Sequence, residues 1–196
     1  MQLLNTKDGY GWANIVLHWL MAVLVFGQFG VGLYMTGLTY YDPLYTALPW
    51  WHKSFGLVFA FLLIIRLFLR AKTTSPEHNP LHKVWEITVA TLTHRLLYVV
   101  MFIIVISGYL ISTADGRGIE VFGWFTIPAT LSDIENQEDI AGIVHLYASW
   151  FIIALVALHA AGAIKHQWVD RDSTLIRMFK PASSQTPTTK EVEHEH

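Results

Sequence analysis

Four long apolar segments govern what this chain can become. The first runs from about Trp12 to Tyr34, the second from His52 to Leu69, the third from Leu96 to Ile111 and the fourth from Ala141 to Ile164. A helix needs about 17–25 apolar residues to cross the hydrocarbon of a bilayer, and each segment approaches or exceeds that length. The third is short as bounded, and Thr88 to Thr93 extends it. None alternates apolar and polar residues as a membrane β-strand does. Backbone amides in lipid need partners within their own segment, so helices are expected. The expected fold is all-α, an integral membrane four-helix bundle.

Composition agrees. Only 14% of the 196 residues are charged, and the charges are clumped between the apolar segments. Soluble domains carry about a quarter. The net charge of -2 excludes a strongly basic nucleic-acid binder. The absence of cysteine excludes disulfides, cysteine-ligated iron–sulfur clusters and covalent c-type haem attachment. It leaves the redox compartment open.

Residues 1–180 read as one domain without internal repeats. The first span is too long for a signal peptide, and no small-residue cleavage site follows it. Thr73 to Pro80 holds two prolines, Ser, Thr and Asn, and must break a helix. Thr113 to Glu138 is the longest loop, with an Asp115-Gly116 turn and an aromatic patch, Val121 to Phe125, expected at the interface. The tail 181–196 is polar and expected to be disordered.

Lysine and arginine set the orientation. Arg66, Arg70, Lys72, Lys83 and Arg95 flank the second loop, Lys165, Arg171, Arg177 and Lys180 follow the fourth span, and Lys7 precedes the first. The other side holds Lys53 and Arg117, with the acidic Asp133, Glu135, Glu138 and Asp139. The positive-inside rule puts both termini in the cytoplasm.

Ionisable residues within a membrane are costly and usually functional. His18, His52, His145 and His159 lie in or at the edge of spans. Span polarity sorts them by depth. His52 and His145 fall near the outer side, His18 and His159 near the inner. His145 and His159 are fourteen residues apart, which returns to within about 40° of one helix face and separates them by about 21 Å. Two depth-matched pairs suit two haems, each held between two imidazoles. Bis-imidazole ligation favours electron transfer over oxygen binding at the metal. A lone membrane histidine is more often a hydrogen-bonding residue between helices. Four in two matched pairs fit that account poorly.

The other histidines carry less. His94 is read as interfacial and within reach of a propionate, His166 as a snorkelling polar residue. His78 and His82 lie in cytoplasmic segments, His194 and His196 in the tail. Gly27, Gly30, Gly32, Gly56, Gly108 and Gly162 give room for a large flat group, or simply let helices approach closely. Arg66 and Arg70 share a helical face, Lys53 adjoins His52, and Lys165 follows His159. These cations are candidates for anionic propionates beside their part in setting orientation.

The chain resembles the bacterial cytochrome b561 family. The similarity lies in IVLHWLMA around His18, WWHKSFG around His52, RLFLR from Arg66 to Arg70, HLYASW from His145, and ALHAAGAIKHQWVDRDSTLIRMF from Ala157 to Phe179. It extends from about Gly11 to Phe179. The resemblance implies a bacterial inner membrane location, two non-covalent haems b between four helices, and iron ligands at His18, His52, His145 and His159. Members pass electrons between a donor and the quinone pool. One branch resembles a superoxide oxidase, which turns superoxide into dioxygen at the periplasmic side and reduces ubiquinone. That oxidoreductase activity is the leading expectation, with no catalytic residue assigned. An acidic outer loop departs from the cationic patch that would guide an anion. Two other readings compete: a haem b electron-transfer subunit that docks a partner dehydrogenase or cytochrome, and a haem-free membrane protein whose histidines serve protons or packing.

Overall fold

The computed structural model describes residues 2–7, 9–74, 76, 82–172 and 174–181. All four apolar segments are helices: α1 (Trp12–Thr36), α2 (Ala47–Lys72), α3 (Val84–Thr113) and α4 (Gln137–Trp168). Each is long and apolar enough to cross a membrane. His78 and residues 182–196 of the tail lie outside the described residues.

Every helix outruns its apolar stretch except at the start of α1, because caps rather than hydropathy decide where helices begin and end. α3 starts at Val84, well before Leu96, where the Glu86 carboxylate accepts the Lys83 backbone N–H at 2.9 Å. α4 starts after Asn136, whose φ of 57° turns the chain sharply, and Glu138 and Asp139 in its first turn suit the helix dipole. α2 stops at Lys72, where the Thr73 hydroxyl donates to the Leu69 carbonyl at 2.7 Å. The expected break after Thr73 is therefore present.

The helices run up and down as two hairpins. α1 packs along α2 and α3 along α4, while α2 meets α3 over a smaller area. At mid-height the hairpins meet in a buried apolar layer to which every helix contributes: Met21, Phe59 and Leu63, Val100 and Met101, Ile152 and Leu155. Both described termini lie at one end of the bundle, the termini side. The α1–α2 and α3–α4 connections lie at the other.

The long loop is more ordered than its composition suggests. It holds two short antiparallel strands, β1 (Ile119–Val121) and β2 (Phe125–Ile127), in the register Ile119↔Ile127 and Val121↔Phe125. Phe122 (φ 50°) and Gly123 (φ 73°) make the mirror-image turn that matches strand twist. The Phe122 ring packs on Phe55 at 5.3 Å and Trp51 at 5.8 Å, and its N–H donates to Ser54 Oγ at 3.2 Å. The aromatic patch is thus a turn docked on α2, with Trp124 left exposed. Gln137 donates to the Leu110 and Leu131 carbonyls and ties the loop's far end back to α3.

Ser54 is fully buried and anchors this hairpin side. Ser54→Ala leaves the Phe122 N–H without its acceptor, and an unsatisfied buried donor costs about 1–3 kcal/mol. Thermal melting in detergent will show the loss, and amide exchange at Phe122 will accelerate. Unchanged exchange would mean that another contact holds the hairpin.

Candidate functional site

One face of α4 organises the interior. His145, Ile152, His159 and His166 follow at intervals of seven residues, and positions seven apart on a helix lie within about 20° of one another. Ile152 belongs to the apolar mid-layer. His145 lies on its hairpin side, and His159 and His166 on its termini side.

On the hairpin side, His145 faces His52 of α2 with ring centroids 6.3 Å apart and planes at 75°. The His145 Nδ1 lies 3.0 Å from the Ile104 carbonyl oxygen and 3.1 Å from Ser107 Oγ. A carbonyl only accepts, so Nδ1 carries the proton and Nε2 keeps its lone pair. That is the tautomer a metal-binding histidine adopts. The His52 Nδ1 is buried and has no hydrogen-bond partner among the described residues. Gln28 of α1 donates to the His52 carbonyl at 2.8 Å and fixes the backbone there. Glycines flank both rings. A Cβ on Gly32 would lie 3.4 Å from His52 Cε1, and one on Gly108 only 3.1 Å from His145 Cε1.

On the termini side, His159 stands 6.1 Å from His18 of α1 and 5.0 Å from His94 of α3. Two imidazoles facing each other across one metal, each with a metal–nitrogen bond of about 2.0 Å, hold their centroids about 6.3 Å apart. The His18–His159 and His52–His145 pairs match that spacing, and His94–His159 is too close for it. His94 completes a cluster of three imidazoles at the termini side. Arg66 donates to His18 Nδ1 at 3.0 Å and to the Tyr98 hydroxyl at 3.2 Å. The Arg70 guanidinium sits over the Tyr98 ring, 5.6 Å from its centroid. The arginines expected to share one face therefore meet on one tyrosine.

The remaining cations differ. Lys53 has no ion pair among the described residues. Lys165 bonds to Glu86 and, at 2.6 Å, to Asp170. It is taken up at the end of α4 and does not face the histidine pairs. His166 is more than a snorkelling residue, because its ring lies 4.2 Å from that of His82. Asp172 joins them, 2.8 Å from His82 Nε2. Burial alone would raise the Asp172 carboxyl. Hydrogen bonds from Thr174 and His82, with the nearby His166, hold it at about 2 instead.

Tyr98, Ser107 and the His82–His166–Asp172 cluster escaped the sequence reading. Tyr98 follows His94 by four residues, a spacing that puts both on one face. Gln28 was also visible, as a lone amide in an apolar span. Ser107 and the cluster carry no such local signal.

Comparison with known proteins agrees with this architecture. A family profile described as Prokaryotic cytochrome b561 matches residues 9–181. Cytochrome b561 homolog 2 of Escherichia coli (strain K12) is 42% identical over 184 residues, covering 94% of this chain and 98% of that protein. Cytochrome b561 homolog 1 of the same organism is 24% identical, covering 85% and 94%. A protein of Yersinia pestis named Probable superoxide oxidase CybB is 24% identical, covering 87% and 95%. The chain belongs to the prokaryotic cytochrome b561 family, whose members bind haem b, and is a multi-pass bacterial membrane protein of electron transfer.

Proposed function

We propose that His52 with His145 and His18 with His159 each hold one haem b, and that the chain oxidises superoxide on the hairpin side and reduces ubiquinone near the termini. The observation that carries this reading is the centroid spacing of the two pairs, 6.3 and 6.1 Å, at two levels of one bundle. A haem iron held between the two imidazoles of a pair would supply a one-electron carrier and would favour electron transfer over oxygen binding.

The residues supply the rest. The Ile104 carbonyl keeps the His145 proton on Nδ1 and leaves Nε2 for the iron. His18 needs the same tautomer, yet its Nδ1 now accepts from Arg66. Binding through Nε2 therefore requires Arg66 to leave the ring, and a propionate carboxylate is the partner a freed guanidinium takes. Arg70 stands beside it for the same purpose. The apolar mid-layer keeps water out between the pairs. Two superoxide anions each give up one electron and leave as dioxygen, and one quinone takes the two electrons with two protons. An apolar groove of about 450 Å³ beside His18, walled by Trp12, Trp19, Leu20, Val23 and Phe179, suits a quinone ring and tail. With both termini cytoplasmic by the positive-inside rule, superoxide meets the periplasmic side.

Charge on the hairpin side bears on the substrate. Arg117 is paired with Asp115 at 2.5 Å. Lys53, beside His52, is then the cation there without an ion pair among the described residues, and it is the residue to draw in an anion. The second reading, docking of a cationic partner protein, is favoured by the exposed Asp133, Glu135, Glu138 and Asp139.

Three tests follow from this site. His52→Ala and His145→Ala will each remove the same spectral haem, and His18→Ala and His159→Ala the other, as read in reduced-minus-oxidised spectra. Loss of one haem by a cross-pair would refute the pairing. Gly108→Leu drives a side chain into His145 and will deplete the hairpin-side haem, whereas Gly27→Leu, with open space at its Cβ, will not. In stopped flow, superoxide will reduce the isolated protein and added quinone will reoxidise it. Lys53→Gln will slow the first phase by about threefold to tenfold at low salt. No reduction by superoxide, with normal reduction by a partner protein, would favour the docking reading.

A further inference from the structure

We propose that His82, His166 and Asp172 form a binding site for a borderline divalent cation of the zinc type, separate from the two histidine pairs. The three come from different places: His82 from the segment before α3, His166 from the last turn of α4, and Asp172 from the chain just beyond it. One ligand atom from each lies within 4.8 Å of the others. His82 Nε2 is 2.8 Å and His166 Nδ1 3.3 Å from the same oxygen, Asp172 Oδ2.

The chemistry and spacing fit one ion. Tetrahedral ligands about 2.0–2.1 Å from zinc lie about 3.3–3.4 Å from one another. The His166–Asp172 separation already has that value, and the His82–Asp172 contact must open by about half an ångström. The His166 Nδ1 is buried. It is 2.8 Å from Asp170 Oδ2, yet in no hydrogen bond of acceptable angle. Lys165 engages Glu86 and Asp170, which leaves Asp172 as the carboxylate turned to both rings. Two imidazoles and a carboxylate suit zinc, copper or nickel and suit magnesium poorly. Three protein ligands leave the fourth position to water. Such an ion would tie the start of α3 to the end of α4. His166 lies two helical turns beyond His159 on the same face, so the ion would sit about 10 Å along the axis from that ring.

The test uses the full-length haem-loaded protein with His194→Ala and His196→Ala in every sample, because tail histidines bind zinc on their own. Calorimetry with buffered Zn²⁺ should give one saturable site, and Mg²⁺ should give none. His82→Ala and Asp172→Asn should each weaken Zn²⁺ binding at least about tenfold, with helix content and haem spectrum unchanged. Zinc X-ray absorption on the unmutated cluster should show two imidazole nitrogens, which keeps the question decidable if a variant fails to fold. Zinc affinity in both variants equal to that of the unmutated cluster, equal binding of Mg²⁺, or a zinc shell of oxygen alone would overturn the proposal.

Discussion

A polar ring inside an apolar helical bundle is unfavourable unless its nitrogens find partners, and the rest of this structure is arranged around that constraint. An unsatisfied buried polar atom costs about 1–3 kcal/mol. Among the described residues, the rings of His18, His52, His94, His145 and His159 come together between the helices, and four of them form two pairs. His145 satisfies one nitrogen through Ile104 and His18 through Arg66, while the His52 Nδ1 remains without a partner among the described residues. The two pairs hold their ring centroids 6.1 and 6.3 Å apart, the spacing on which the proposed ligation rests.

The two-hairpin arrangement supplies the space. Helices pack closely within each hairpin and more sparingly between α2 and α3. The mid-layer around Phe59, Leu63 and Ile152 joins the hairpins at one height and divides the interior into two compartments. Each compartment receives one histidine from α4 and one from the first hairpin. Glycine at 32 and 108 lets the neighbouring backbone approach the rings, since any Cβ there would press on an imidazole.

The two ends of the bundle differ in electrostatic character. At the termini side, cations lie close to the rings: Arg66 on His18, Arg70 on Tyr98. Farther out, carboxylates gather around His166, with Lys165 among them. The hairpin side carries exposed acids, one arginine held by Asp115, and Lys53. The end with few cations is thus the hairpin side, and the arginine-rich compartment lies at the termini side.

Much of this was legible in the chain itself. Hydropathy located four helices because a segment in lipid must satisfy its own backbone. Polarity of the spans sorted His18, His52, His145 and His159 by depth, since alternate helices cross in opposite directions. The fourteen-residue interval on α4 put two of them on one face by helix geometry alone. Helix ends were less legible: Glu86 and Asn136 set them through local caps, which an apolar window does not register. The β-hairpin over α2 was hidden because Phe122 and Ser54 are far apart in sequence. For the same reason only the tertiary structure brought His94 beside His159, set Arg66 and Arg70 on Tyr98, and gathered His82, His166 and Asp172. Periodicity within one segment determines which way a side chain faces, and only the packing of separate segments decides what it meets.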